Sequence, residues 1–103
     1  MMVVVAPPTA WTTDLTRLCE RLAERLAAEG ARYPEAGAVA LAVRGRAGVD
    51  RPTFADDLGL DPDELRRVER GEVPFDEFPA AIRQRAHREP RLDLRRLGVW
   101  PPA

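Results

Sequence analysis

From residue 15 onward the apolar positions of this chain recur at helical spacing, and five helices account for them. Leu15, Leu18, Cys19, Leu22 and Leu26 form one stripe, with Arg17, Glu20, Arg21, Glu24 and Arg25 between them. That repeat predicts an amphipathic helix over 13–28, with Thr13 or Asp14 as its cap and Gly30 as its stop. A second helix is predicted over 34–47. Pro34 suits its first turn, Val39, Leu41, Ala42 and Val43 are its apolar content, and Arg44 and Arg46 favour its negative end. The third, over 52–58, is preceded by Asp50 or Arg51, has Pro52 in its first turn and stops at Gly59. The fourth, over 62–70, starts on Asp61, a strong N-cap. It has Pro62 in the first turn and Asp63 and Glu64 at the positive end of the helix dipole, and Gly71 closes it. The fifth, over 75–86, places Phe75, Phe78, Ala81, Ile82 and Ala86 inward, and Pro79 falls in its first turns or splits it in two. With short links and no convincing strand, the pattern predicts an all-α fold.

The ends are less regular. Val3-Val4-Val5 reads as a tail or an edge strand, ended by Pro7-Pro8. The run over 1–6 is too short for a signal peptide or a membrane span, so a cytoplasmic protein is expected. Leu92 and Leu94 alternate as in a strand, whereas Leu94 and Leu97 fit a helical turn. Trp100, before Pro101-Pro102, is expected to clamp the tail. The expected organisation is an N-terminal arm and amphipathic helix over 1–33, a helical domain over 34–88, and a tail over 89–103.

At 103 residues with 45% hydrophobic content, the chain can build one small core. All 16 basic residues are arginine, and Lys, Ser and Asn are absent, a skew that fits a GC-rich genome. The net charge of −1 makes the whole chain no attractor for nucleic acid. Charge is uneven, however. Residues 50–77 carry ten carboxylates, at Asp50, Asp56, Asp57, Asp61, Asp63, Glu64, Glu69, Glu72, Asp76 and Glu77, against Arg51, Arg66, Arg67 and Arg70. Cys19, the single cysteine, lies on the apolar stripe and reads as a core residue. His87 reads as a solvated or helix-capping residue beside Arg85 and Arg88. There is no serine nucleophile, no Gly-rich phosphate loop and no His/Cys set for a metal. No enzyme, cofactor or metal site is expected.

Two short helices joined at Gly59 are the layout of a helix-turn-helix. The stretch 43–86 resembles the lambda-repressor-like, or Xre-type, helix-turn-helix family. Ala47-Gly48-Val49, then Phe54, Ala55, Leu58, Gly59 and Leu60, then Leu65, Val68, Glu69, Arg70, Gly71 and Val73-Pro74 carry the resemblance. Arg67-Val68-Glu69-Arg70-Gly71-Glu72 is its most specific part. The resemblance implies a five-helix domain with an added N-terminal helix, packing Phe54, Leu58, Leu65 and Val68 in one core. It implies a transcriptional regulator whose fourth helix enters the major groove of double-stranded DNA.

On that reading Arg66 and Arg67 face bases, Arg46 and Arg51 hold phosphates, Arg70 adds positive charge, and Asp63 can accept from cytosine N4. The stripe Leu15, Leu18, Leu22 and Leu26 packs on the chain's own domain or on a partner chain, and part of that face is expected to contact a second copy, giving a homodimer. The departure from the family pattern is Pro62-Asp63-Glu64 at groove-facing positions. It leaves open a second reading, a helix-turn-helix turned to protein contact, antitoxin-like or an anti-regulator, whose acidic face meets a basic partner. In that case Arg66, Arg67 and Arg70 pair on the surface with Asp63, Glu69 and Glu72.

Overall fold

The computed structural model describes residues 14–101, and these form an all-helical globule with no strand among them. Val3–Val5 and Thr13 lie outside the described residues. The helices are α1 (Leu15–Ala28), α2 (Pro34–Ala47), α3 (Arg51–Leu58), α4 (Pro62–Glu69) and α5 (Ala80–Arg88), with a 3-10 turn at Phe75–Glu77.

Capping residues set the boundaries. Asp14 starts α1 by accepting a hydrogen bond from the Arg17 amide at 2.9 Å, and Asp50 starts α3 by accepting from the Thr53 amide at 2.9 Å. Arg51 is therefore the first helical residue of α3, one position before the expected start. Helix α4 ends one residue earlier than the sequence suggests, with Arg70 as its C-cap. Pro79 does split the fifth helical stretch. It lacks an N–H and sits in extended backbone between the 3-10 turn and α5, which then runs to Arg88.

The longest packing seam is α1 against α2, and α2 also packs on α3, α4 and α5. Helix α2 is therefore the central element. Its small residues Ala36, Ala38, Ala40 and Ala42 are buried on several sides, which explains why it has no polar face. One cluster of buried side chains takes in Leu15 and Cys19 of α1, Val39 of α2, Phe54 of α3, Leu65 and Val68 of α4, Ile82 of α5 and Leu92, Leu94 and Leu97 of the tail. This core runs unbroken across residues 33/34 and 88/89.

Leu58, expected in the core, is only half-buried at the last turn of α3. Of the α1 stripe, Leu15 and Leu26 pack inside the chain's own core, at 0% and 8% exposure. Leu18 and Leu22 remain partly exposed.

The tail forms turns that bury all three of its leucines. It is tied to α1 by Thr16, whose hydroxyl donates to the Arg91 carbonyl at 3.2 Å and accepts from the Asp93 amide at 2.8 Å. Trp100 packs edge-on against His87 and Phe75, at ring-centre distances of 5.0 and 6.1 Å. His87 thus belongs to an aromatic cluster holding the tail, while its ring stays accessible to solvent.

Candidate nucleic-acid interface

Helices α3 and α4 are joined by a turn of three residues. Gly59 takes a left-handed conformation at φ 68°, where any other residue would be strained. Its amide donates to the Asp56 carbonyl at 3.1 Å, and the Leu60 amide donates to Ala55 at 2.8 Å. Asp61 then caps α4, its carboxylate accepting from the Asp63 amide at 2.8 Å. The result is a rigid connection that fixes which side of α4 faces out.

That side follows from helical spacing. Leu65 and Val68 are buried at 0% and 1%, and Glu69, one position on, is buried at 2%. Asp61, Pro62, Asp63, Glu64, Arg66, Arg67 and Arg70 are all exposed. Residues 61–67 therefore present a ridge whose leading end is acidic and whose middle is basic. Asp56 and Asp57 of α3 are exposed as well.

Glu69 is buried, at 2% exposure, although it is a carboxylate. Only the protein-contact reading gives it a place, on the surface as a partner of the α4 arginines. Instead its carboxylate is buried between two guanidinium groups. Arg44 of α2 donates through Nε to Oε2 at 2.6 Å and through Nη2 to Oε1 at 3.2 Å, and Arg51 of α3 donates through Nε to Oε1 at 2.9 Å. Arg44 also donates to the Val49 carbonyl at 3.2 Å. A charge removed from water needs such matched donors, and the paired fork of arginine supplies them. This network ties α2, α3 and α4 together. A signal for it existed: positions 65, 68 and 69 share one inward helix face, so a carboxylate at 69 demanded a buried cation.

The other candidate arginines also have acidic neighbours. Arg66 reaches Asp63 at 3.0 Å, Arg67 reaches Glu72 at 3.7 Å, and Arg46 reaches Glu89 at 3.3 Å. The first two pairs are solvent-exposed and are worth little, about 0–1 kcal/mol, so those arginines can be recruited by another anion. Arg51 cannot leave Glu69 so cheaply. Arg70 makes no ion pair among the described residues. At the entry to α3, the Asp50 carboxyl is held below its ordinary range by hydrogen bonding from Thr53, with the nearby Arg44 charge contributing.

Among the described residues no group of His, Cys, Asp and Glu is placed to hold a metal ion, and no helix is long and apolar enough to cross a membrane. No protein-family model matches the chain, and no curated protein or solved structure matches it either.

Proposed function

We propose that the chain is a DNA-binding transcriptional regulator of the Xre-like helix-turn-helix type, with α3 and α4 as the two helices of the motif. The observation that carries this reading is the outward ridge of α4. Leu65, Val68 and the buried Glu69 network hold it rigidly, while Arg66 and Arg67 stay exposed. In that architecture the exposed N-terminal part of the second helix meets base edges. Arg66 and Arg67 are the base-reading candidates, and Arg70 and Arg46 the candidates for phosphates. Arg51 is a further phosphate candidate, less free than the others because it is paired with the buried Glu69. A second copy would pack through Leu18 and Leu22. With so few cations, affinity should be weak and fall steeply with salt.

The exposed carboxylates Asp56, Asp57, Asp61, Asp63 and Glu64 favour a second reading, in which the same ridge docks on a basic protein surface. A mobility-shift assay on the promoter region beside the gene, at two salt concentrations, separates the two. A specific complex that weakens with salt supports the regulator. Absence of any duplex binding at low salt removes it and leaves the acidic docking surface.

A further inference from the structure

The link between α1 and α2, the loop after α4 and the tail meet around a groove of about 300 Å³. No residue of the exposed α4 ridge lines it. Phe75 is the buried apolar residue at its base, and the half-buried Pro34, Pro74 and Val99 form its walls. A concave site of this size, apolar with a few polar groups, suits a small molecule. Tyr33 also lines the groove and ties it to the exit of α4, its amide donating to the Gly71 carbonyl at 2.8 Å.

Three charged side chains complete the lining, Arg32, Glu35 and Asp76. Arg32 has its guanidinium over the Tyr33 ring, 5.4 Å from the centroid, a stacking that limits its freedom. Glu35 and Asp76 make no ion pair among the described residues. No side chain caps α2, whose first turn supplies Glu35 and Ala36 to the wall. The positive end of that helix, about half a charge, therefore lies at the groove. The lining thus offers both signs. An amine alone would meet Arg32 and the helix end, and an acid alone would meet two carboxylates. A ligand carrying an ammonium group, a carboxylate and an apolar body satisfies every part of the wall.

We propose that this groove binds an apolar α-amino acid in its zwitterionic form. The ammonium group donates to Glu35 and Asp76, the carboxylate lies on Arg32 and the first turn of α2, and the side chain packs on Pro34, Phe75 and Val99. Charge-assisted hydrogen bonds of this kind are the strong ones, and a half-enclosed groove strengthens them. An occupant would also brace the link that pins α2 to the exit of α4. Any effect of that bracing on what the ridge binds rests on the proposed function, whereas occupancy of the groove does not.

Calorimetric titration of the full chain with L-phenylalanine and L-leucine tests the proposal. Each is compared with the amine that lacks its carboxylate and the acid that lacks its ammonium group. Glycine, which has both charges and no apolar body, completes the set. At least one of the two amino acids should bind with a Kd below about 1 mM, and about tenfold tighter than each of these stripped compounds. Amide NMR shifts should place it at Glu35, Ala36, Asp76 and Val99. Asp76→Asn should narrow the gap to the acid, and Arg32→Gln the gap to the amine. Both positions are exposed, and thermal unfolding checks that both variants are folded. The proposal is overturned if neither amino acid binds below about 1 mM, or if a stripped compound binds as tightly. It is equally overturned if the shifts map outside the groove or if neither variant narrows its gap. These readouts need no duplex, so the groove and the α4 ridge fail separately.

Discussion

Gly37 and Gly71 meet backbone to backbone. A Cβ at Gly37 would lie 2.7 Å from the Gly71 nitrogen, 2.9 Å from its Cα and 3.0 Å from Leu26 Cδ1. Gly71 is equally constrained, with a left-handed φ of 77° and the Tyr33 carbonyl oxygen 2.9 Å from where its Cβ would stand. The Tyr33 amide donates to the Gly71 carbonyl at 2.8 Å across the same contact. The start of α2 is thereby pinned to the exit of α4, and the orientation of the α4 ridge depends on it.

Gly37→Ala should therefore destabilise the fold by about 1–3 kcal/mol, since backbone atoms cannot turn aside as a side chain can. Gly45→Ala is the matched control. It lies in the same helix but is exposed, and it should be neutral or stabilising by about 0.5–1 kcal/mol. Urea unfolding of the two variants measures the difference. A Gly37→Ala midpoint at or above that of the wild type would remove the close contact from the account.

Glu69→Ala should cost about 3–5 kcal/mol, because it strands the Arg44 guanidinium beside a space built for a carboxylate. Arg51→Ala should cost less, as Arg44 still makes two hydrogen bonds to the carboxylate. A combined Arg44→Met/Glu69→Leu variant should recover part of the Glu69→Ala loss in thermal unfolding. Equal losses from Glu69→Ala and Arg51→Ala would mean that Arg44 is not the main partner.

Helix positions were legible in the sequence because capping and apolar spacing are local. Asp61 caps as read, Asp14 is one of the two caps the sequence offers for α1, and Leu65 and Val68 turn inward as their spacing implies. What the sequence hid depends on long-range packing. Arg44 and Glu69 lie 25 positions apart in the chain, so no local rule pairs them. Gly37 looks like a weak spot in a helix until Gly71 is placed against it. The stripe Leu15–Leu26 has the same pattern whether it faces a partner or its own core, and only the docking of α2 shows that Leu15 and Leu26 are taken. The tail was ambiguous because Leu92, Leu94 and Leu97 are buried by turns, which follow neither helical nor strand spacing.

Cys19 should resist thiol reagents. Burial, with a smaller contribution from Glu20, pushes its pKa from 9.0 up to about 12. Its Sγ also contacts the Ala38 carbonyl at 3.7 Å. A disulfide reagent at pH 8 should label the native chain far more slowly than the urea-unfolded one. Between pH 9 and 12 the unfolded chain ionises the thiol while the native one does not, so this group lowers stability as pH rises through that window. Rapid labelling under native conditions would show that α1 opens readily from α2.

If a second copy docks on α1, it must use Leu18 and Leu22, since Leu15 and Leu26 are inaccessible. Leu18→Glu/Leu22→Glu should then shift sedimentation from dimer to monomer with the helical signal retained. A wild type that sediments as a monomer at high micromolar concentration would confine the stripe to internal packing.

The α4 ridge gives opposite signs for its two possible partners. If it meets DNA, Arg66→Ala and Arg67→Ala should each weaken specific binding by about 1–3 kcal/mol, the worth of a bidentate base contact. Asp63→Asn should strengthen nonspecific binding, because it removes a carboxylate that repels phosphates and competes for Arg66 at 3.0 Å. If the ridge meets a basic protein, Asp63→Asn and Glu64→Gln should weaken that complex and no duplex should bind above the nonspecific level. Arg51→Ala distinguishes structure from contact. Because Arg51 is held by the buried Glu69, its loss should lower the unfolding midpoint while leaving the salt slope of duplex binding nearly unchanged. A salt slope reduced by about one unit, with stability intact, would make Arg51 a phosphate contact.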